Sequence, residues 1–329
     1  MNIFIIGKQN FLYWDSHVVD AFKELNHNVE HFQINNRPFS IQFIRGITKG
    51  LLGKQKGSEI SNKLLIKNLK NRLELFKADL IFFTSACFIP LEFYQTVNEL
   101  SYKPKIFAWE GDGGANNDKN KNIVPYIDIL FETNKMFVQE NKHNFKNIIH
   151  LPFCSNTKLY NNLNHLRENK SYFCGAWLKE RDEIFSQLTD YDIVLRGWNW
   201  DKLSSKSEKF DIKLGTVDIK DQINDYNRYK SVINKHQYAN NHLVALNMRT
   251  FEVPSCKTLL INDYREGLEN MFDIGQEILV YKNVEELKVI FEKMKKNPNE
   301  FDKIIENGYK RVFAEHTYVH RMQEVLSYL

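Results

Sequence analysis

The sequence predicts an α/β protein made of two doubly wound domains. Short apolar runs bounded by turn residues alternate with stretches of helical periodicity, once from Ile3 to Leu151 and again from Tyr172 to Tyr281. Continuous apolar strands separated by helices are typical of a parallel sheet covered on both faces. A polar, Asn-rich segment from Pro152 to Lys170 separates the two series, and 329 residues exceed the usual size of one domain. We therefore expect domains at residues 1–155 and 156–316.

The apolar runs give the expected strands. In the first domain they are Ile3–Ile6, Val29–Ile34, Leu80–Thr84, Lys105–Trp109, Ile127–Phe131 and Ile148–Leu151. In the second domain they are Tyr172–Cys174, Ile193–Arg196, Ser231–Asn234, Thr258–Asn262 and Glu277–Tyr281. Helical periodicity predicts helices at Ser16–Leu25, Glu180–Leu188, Arg249–Cys256, Val284–Met294 and Pro298–Phe313.

Composition excludes several protein classes. No apolar run reaches the roughly 18 residues that a membrane-spanning helix needs. The N-terminus has no basic region before its short apolar stretch, so we expect no signal peptide. The four cysteines are scattered without a Cys-x-x-Cys pair, which disfavours a disulfide scaffold or zinc knuckle. These features predict a cytoplasmic protein, either free or attached peripherally to the inner face of the membrane.

The basic character is concentrated in one segment. Between Arg45 and Lys77 there are nine Lys or Arg residues and two Glu, a local charge of +7 in a chain whose net charge is +4. Phe39, Phe43, Ile47 and Leu51 recur every four residues just before and within it, which favours an amphipathic basic helix. Residues 39–77 could contact an anionic membrane surface, nucleic acid or solvent alone; nucleic acid is the less favoured partner.

Polar residues follow the first-domain strands, where ligands of doubly wound sheets bind. Gly7 is the only glycine after the first strand, so a dinucleotide site is disfavoured there. His17, beside Asp15, is a candidate general base or an ordinary surface histidine. Glu110 and Asp112, followed by Gly113-Gly114, put two carboxylates on an expected flexible strand-end loop.

In the second domain, Arg249 and Glu252 lie three apart on one expected helix face before a buried strand. A carboxylate there could accept ribose hydroxyls while the helix N-terminus and the cation favour phosphate; a surface ion pair is the alternative. Asp190-Tyr191-Asp192 resembles an Asp-x-Asp metal motif but precedes a strand. His236 and His242 lack the i, i+4 spacing of a helical metal pair. We therefore expect no metal site and no cofactor.

The second half resembles the C-terminal half of group 1 glycosyltransferases, nearest the spore-maturation (CgeB-like) branch. The matching residues occur in the same order from about Tyr172 to Arg321. They are Phe173-Cys174-Gly175, Arg181, Arg196-Gly197-Trp198, Arg249-Thr250-Phe251-Glu252, Ser255-Cys256, Gly267-Leu268, Gly275-Gln276-Glu277, Glu286-Leu287, Gly308-Tyr309-Lys310-Arg311-Val312 and His316-Thr317-Tyr318 with Arg321.

The resemblance implies a GT-B fold, in which two Rossmann-like doubly wound domains face a cleft and a C-terminal helix, here 317–329, packs back on the first. It implies that the loop at Gly175 and Arg181 approaches the diphosphate of a nucleotide-sugar, and that the loop after Arg196 and Gly197 holds the base. Glu252 would bind ribose. Lys257, which replaces a family glycine, would lie near the diphosphate or in solvent.

The function expected from the resemblance is metal-independent transfer of a sugar from a nucleotide-sugar to a hydroxyl acceptor, in surface glycan (polysaccharide or lipopolysaccharide) synthesis. The acceptor would be a glycan, a lipid-linked glycan or another hydroxyl compound. Candidate bases are Asp112, Glu110 and His17, in that order. The alternatives are a DNA-modifying glycosyltransferase, a nucleotide-sugar epimerase and a non-catalytic sugar-binding protein.

Overall fold

A computed structural model of the protein describes residues 1–8, 14–111, 117–237, 245–297 and 299–329. The chain divides into two units, one formed by Met1–Pro152 with Met322–Leu329 and the other by Phe153–Arg321. Within the described residues, no helix combines the length and the hydropathy that crossing a bilayer requires.

The first unit contains a six-stranded parallel sheet. Its strands are β1 (Asn2–Gly7), β2 (Asn28–Gln33), β3 (Leu80–Thr84), β4 (Lys105–Glu110), β5 (Ile129–Glu132) and β6 (Ile148–His150). The helices are α1 (Trp14–Glu24), α2 (Phe39–Leu52), α3 (Lys54–Phe76), α4 (Leu91–Asn98), α5 (Asn117–Ile123) and α6 (Lys135–Asn141). The strand order β2-β1-β3-β4-β5-β6 reverses direction between β1 and β3, which is where a doubly wound sheet opens a crevice.

The second unit contains another six-stranded parallel sheet. Its strands are β7 (Glu168–Cys174), β8 (Ile193–Gly197), β9 (Phe210–Leu214), β10 (Tyr229–Asn234), β11 (Leu259–Asp263) and β12 (Leu279–Tyr281). The helices are α7 (Lys179–Phe185), α8 (Ile219–Arg228), α9 (Arg249–Ser255), α10 (Val284–Lys296) and α11 (Asp302–Glu315), and α12 (Tyr318–Leu326) begins in this unit. The order β12-β11-β10-β7-β8-β9 reverses between β7 and β10.

Apolar side chains on both faces of each sheet explain why the strands read as continuous hydrophobic runs. Every residue of β3 is buried, and so is every residue of β11. In the second unit two separate apolar clusters form, one containing Tyr172 and Val232 and the other Phe173 and Ile233. Because successive strand residues point to opposite faces, these neighbours fill the two layers that cover the sheet.

The α/β fold class and all eleven expected strands are confirmed, with ends that differ by up to four residues. Sequence reasoning predicted neither β9 nor, individually, the helices α3, α4, α5, α6 and α8. In β9 no residue is fully buried and Asp211 and Lys213 interrupt the apolar pattern, because this strand lies at the sheet edge. The expected start of α1 at Ser16 was wrong, since the helix begins at Trp14.

Candidate functional site

The candidate site lies at the carboxyl ends of β7 and β10, where the strand order of the second sheet reverses. These strands are paired, with Ser171 opposite Ser231 and Tyr172 opposite Val232. Since the connections from the two strands run to opposite sides, they leave a crevice beyond the strand ends. Gly175 and Lys235 are the first residues past each strand and therefore border that crevice.

Arg181 joins the two sides of the crevice. Its Nη1 donates to the carbonyl oxygen of Ala176 at 2.7 Å, and its Nη2 donates to the carbonyl oxygen of Lys235 at 3.2 Å. The guanidinium lies 5.2 Å from the centre of the Phe173 ring, close enough for a cation–π interaction. Arg181 is 9% exposed, so its charge is held within the protein at the strand ends.

Arg249, the first residue of α9, brings a second cation to the same place. Its Nη1 donates to Asn234 Oδ1 at 2.7 Å, and its guanidinium lies 5.9 Å from the centre of the Phe173 ring. Burial, and secondly the charge of Arg249, lower the pKa of Arg181 to about 10. Two guanidinium groups that repel one another in a partly desolvated crevice form a favourable site for an anion.

The two arginines have hydrogen-bonding capacity left over. Among the described residues neither makes an ion pair, and the Nε atoms of both Arg181 and Arg249 are buried without a hydrogen-bond partner. A buried donor left unsatisfied costs about 1–3 kcal/mol. An anion with several acceptor oxygens, such as a diphosphate, would satisfy these donors and neutralise the charge.

Glycines shape the chain around Arg181. Gly197 has φ +145°, and a Cβ atom there would lie 2.2 Å from the carbonyl oxygen of Gly175. That same oxygen accepts a hydrogen bond of 2.7 Å from Trp200 Nε1, which fixes the end of β7. A Cβ on Gly175 would lie 3.0 Å from Arg181 Nη1. The two glycines therefore allow the ends of β7 and β8 and the guanidinium to approach closely.

Glu252 lies one turn after Arg249 in α9 and is 5% exposed. Burial raises the pKa of its carboxyl group to about 7, while the charge of Arg249 and a hydrogen bond with the Tyr160 side chain oppose the rise. The carboxyl group is thus close to the midpoint of its titration at neutral pH. It can accept hydrogen bonds from hydroxyl groups when it is ionised.

A polar network that the sequence analysis did not predict surrounds Arg249. Asn234 Nδ2 donates to Asn262 Oδ1 at 2.7 Å and to Asn247 Oδ1 at 3.0 Å. Asn234 and Asn262 are the register partners at the ends of β10 and β11. Isolated asparagines in strand-like sequence carry no signal of this kind, because only the pairing of strands brings them together.

Asp263 anchors the loop after β10. Its Oδ1 accepts a hydrogen bond of 2.6 Å from His236 Nδ1, and its Oδ2 lies 3.2 Å from Lys235 Nζ and 3.1 Å from Arg265 Nη2. His236 Nε2 accepts from the backbone N–H of Asn247 at 3.1 Å, which is consistent with a neutral ring. Burial lowers the pKa of His236, which favours the neutral ring. Through its two ring nitrogens this histidine connects Asp263 to the backbone of Asn247 and so stabilises the loop.

Arg196 and Lys257 are not part of this crevice cluster. The Arg196 guanidinium pairs with Asp221 and Asp225 of α8. Lys257 precedes β11, at the amino edge of the sheet, and pairs with Glu306 at 2.7 Å. The ligand crevice is at the carboxyl edge, so the expectation that Lys257 approaches a diphosphate conflicts with its position. Its φ of +57° explains why the resembling family has glycine there.

The first-unit candidates occupy different settings from those expected. Glu110 is the last residue of β4 and 1% exposed rather than on a loop; its carboxylate accepts the N–H of Cys87 at 2.6 Å and of Gly111 at 2.9 Å. His17 is 2% exposed within α1, so it is not a surface histidine. Asp112 lies outside the described residues, as does His242.

One further residue at the carboxyl edge of the first sheet was not among the site candidates predicted from the sequence. Thr84 ends β3, beside the crevice between β1 and β3, and is 1% exposed. Its Oγ1 is buried without a hydrogen-bond partner. A hydroxyl group of a bound ligand would satisfy it.

Comparison with known proteins shows what the chain is similar to. Residues 177–327 match a family model described as glycosyl transferase-like. Among solved structures, Anabaena HepE in complex with UDP-glucose has a TM-score of 0.64 and 11% identity, covering 100% of both chains. The lipopolysaccharide outer core galactosyltransferase WaaB, in its apo form, has a TM-score of 0.63 and 12% identity, covering 100% of both chains.

The fold is GT-B. A third GT-B structure, an alpha-glucosyltransferase in complex with UDP and DNA containing an HMU base, has a TM-score of 0.64 and 10% identity, covering 99% of this chain and 98% of that one. At these identities the structures establish the GT-B fold, and the narrower CgeB-like resemblance stays a prediction. A search of curated proteins gave no match. Within the described residues, no group of three or more His, Cys, Asp or Glu has the arrangement of a metal site.

Proposed function

We propose that the protein is a glycosyltransferase that moves a sugar from a nucleoside-diphosphate sugar to a hydroxyl acceptor. One observation carries the proposal: Arg181 and Arg249 meet at the switch point of the second sheet, with buried Nε–H groups that lack a hydrogen-bond partner and without an ion pair to any described residue. A diphosphate matches both the charge and the geometry of two guanidinium groups. The match of residues 177–327 to a glycosyl transferase-like family supports this assignment.

The second unit would supply the donor site. Arg181 and Arg249 would bind the diphosphate oxygens, and the chain at Gly175 would approach them closely because it carries no side chain. Glu252 would accept hydrogen bonds from the ribose hydroxyls, in its ionised form. Arg196, engaged by Asp221 and Asp225, would act on the donor only through the backbone of the loop that follows it.

In the reaction, the bond between the anomeric carbon and the diphosphate oxygen breaks and a bond from that carbon to the acceptor oxygen forms. The nucleoside diphosphate leaves with the bonding electron pair, and the two arginines stabilise its increased negative charge. The acceptor proton passes to a base. Asp112 remains our first candidate, since Glu110 already accepts two backbone N–H groups.

The donor site is tested by replacing Arg249 with Met, which removes the charge while keeping a long side chain. We expect the affinity for UDP, measured by calorimetry, to fall about 10- to 100-fold, because a charge-assisted hydrogen bond is worth about 1.5–3 kcal/mol. Lys257→Gly is the matched control, at the opposite edge of the same sheet, and should bind UDP as the wild type does. Equal affinities for wild type and Arg249→Met would exclude the proposed diphosphate site.

Glu252→Ala tests the ribose assignment separately. This variant should lose measurable binding of UDP-glucose in the same titration, because the carboxylate that accepts the ribose hydroxyls is gone. Loss of folding is checked by its circular dichroism. A folded Glu252→Ala variant with an unchanged titration would contradict the assignment.

Asp112→Asn separates binding from catalysis. The donor affinity should be unchanged and turnover should be lost, because an amide cannot accept the acceptor proton.

Mass spectrometry of the donor incubated alone distinguishes the alternative functions: an altered nucleotide-sugar would indicate an epimerase. An intact donor after incubation with every hydroxyl acceptor tried would favour a sugar-binding protein.

For the acceptor we propose a surface glycan under synthesis, because the neighbour WaaB is described as a lipopolysaccharide outer core galactosyltransferase. DNA is the alternative, since another neighbour was solved with a DNA 13-mer. A radiolabelled UDP-sugar offered with lipopolysaccharide fragments and, in parallel, with DNA that carries hydroxymethyluracil would show which one accepts the label.

A further inference from the structure

An apolar stripe runs along α2 and faces away from the protein. Phe39, Phe43, Ile47 and Leu51 are 83%, 60%, 46% and 78% exposed. Residues four apart share one face of a helix, so these side chains form a continuous stripe. The Phe39 and Phe43 rings stack on each other at 6.4 Å. Of the whole helix, only Ile41 is buried.

The helix that carries the stripe is held firmly. A Cβ on Gly57 of α3 would lie 2.5 Å from the backbone nitrogen of Lys49, so α2 and α3 approach at backbone contact. Arg37 Nη2 donates to Asn62 Oδ1 at 2.8 Å, which ties the start of α2 to α3. Arg72 of α3 pairs with Glu30 of β2 at 2.6 Å. The exposure of the stripe is therefore a consequence of packing rather than of a loose segment.

Positive charge is concentrated on α2, which carries the stripe, and on α3, which packs against α2. Of the nine Lys and Arg residues between Arg45 and Lys77, three pair with an acid: Lys70 with Glu99, Arg72 with Glu30 and Lys77 with Glu74. The other six make no ion pair with any described residue; they are Arg45, Lys49, Lys54, Lys56, Lys63 and Lys67. Lys54 and Lys56 open α3 directly after the last residues of the stripe. We call the stripe with these six cations the α2 surface.

We propose that the α2 surface docks the protein on an anionic lipid bilayer. A bilayer interface offers both partners that the surface lacks, because acyl chains bury the aromatic and aliphatic stripe while lipid phosphates and carboxylates neutralise the cations. A second copy of the chain would bring its own six cations against the six of the first copy. Nucleic acid would satisfy the cations and leave two phenylalanines, an isoleucine and a leucine in water. The proposal does not depend on the glycosyltransferase activity.

The test is co-sedimentation of the full chain with vesicles of phosphatidylcholine containing about one third phosphatidylserine. Leu51→Ser should weaken binding about tenfold, as expected for a leucine that leaves an apolar environment. Its matched control is Leu166→Ser, which removes a leucine that is 99% exposed in the second unit and should bind like the wild type. Both sites are exposed, so neither change should affect folding.

The charge requirement is tested with Lys63→Glu/Lys67→Glu on α3. This double variant should bind the anionic vesicles at least tenfold more weakly. The control Lys293→Glu/Lys296→Glu, on exposed positions of α10 in the second unit, makes the same change in net charge and should leave binding intact. Wild-type binding should also fall with added salt and be weak on phosphatidylcholine alone.

Three results would overturn the proposal. The first is equal vesicle binding by the wild type and Leu51→Ser. The second is a concentration-dependent dimer in sedimentation velocity that Leu51→Ser dissociates, which would make the stripe a contact between copies. The third is duplex DNA binding that needs Lys63 and Lys67 but not Leu51, without any vesicle binding.

Discussion

At the scale of single residues, burial decides what a side chain can do. Glu252 and Glu110 are both almost inaccessible, with 5% and 1% exposure. Glu110 accepts two backbone N–H groups, which hold its carboxylate in one position. Burial dominates at Glu252 and raises its pKa to about 7. The Glu252 carboxyl group can therefore gain or lose a proton near neutral pH when a ligand binds.

Glu252 should make the stability of the protein depend on pH. Its folded-state pKa, about 7, lies above the ordinary value of 4.5. Glu252 therefore contributes most to the free energy of unfolding below about pH 4.5. Its contribution declines as the pH rises to about 7 and stays at its lowest value above that pH. Relative to Glu252→Gln, the wild type should lose up to a few kcal/mol between about pH 5 and pH 8, since one pKa unit is about 1.4 kcal/mol.

Denaturant unfolding of both proteins at the two pH values measures this difference. Comparison with the Gln variant removes the contributions that the other titrating groups share. Unfolding free energies that change in parallel for the two proteins would show that the Glu252 pKa is not raised.

At the scale of elements, the ends of strands matter more than their centres. The strand centres follow from apolar runs, and the sequence predicted them at positions such as Leu80–Thr84. The connection after β8 depends instead on Gly197, whose φ of +145° and close contact with Gly175 permit the approach to β7. Nothing in a single glycine identifies such a contact before the strands are paired.

Gly197→Ala should therefore lower the free energy of unfolding by more than backbone strain alone would, because the added Cβ also collides with the carbonyl oxygen of Gly175. Gly215→Ala is the matched control, because Gly215 also has a positive φ, +113°, but no atom within 4 Å of an added Cβ. Strain of this kind costs about 1–3 kcal/mol, so we expect Gly215→Ala to lose that amount and Gly197→Ala to lose more. Thermal unfolding compares the two, and calorimetry should show weaker UDP binding for Gly197→Ala only. Equal losses would mean that the chain relieves the contact with Gly175 at no cost.

At the scale of the whole molecule, the two units carry different sets of polar groups at their switch points. The second unit concentrates Arg181 and Arg249 there, whereas the first places the buried hydroxyl of Thr84 beside its crevice. Phosphate binding needs concentrated positive charge, so we propose that the donor binds to Phe153–Arg321 and the acceptor to the other unit.

Hydrogen–deuterium exchange with and without UDP tests that assignment. Protection should be strongest at residues 175–177 and 234–237 and in α9, because binding there suppresses local opening of the switch-point loops. Protection concentrated in Met1–Pro152 would contradict it. An Arg249→Met sample should show little protection at the same UDP concentration.

The sequence predicted much of this architecture because parallel strands buried on both faces must be apolar throughout. The expectation that Arg249 and Glu252 share one helix is confirmed by α9, whereas their role in donor binding and that of Arg181 and Gly175, which family resemblance indicated, stay predictions. Prediction from the sequence failed at β9, because a strand at the sheet edge can contain polar residues. It also failed at Lys257, which is close in the chain to Glu252 but pairs with Glu306 at the opposite edge of the sheet.

The amino-acid sequence by itself therefore determined the two doubly wound sheets, the order of their strands in the chain, and the chemistry available in each loop. Only the tertiary structure decided which loops meet: Arg181 reaches the carbonyl oxygen of Lys235, 54 residues away, and Asn234 pairs with Asn262. The physical reason is that hydrophobic periodicity is a local property, whereas the contacts at a switch point depend on how strands distant in the chain align in the sheet.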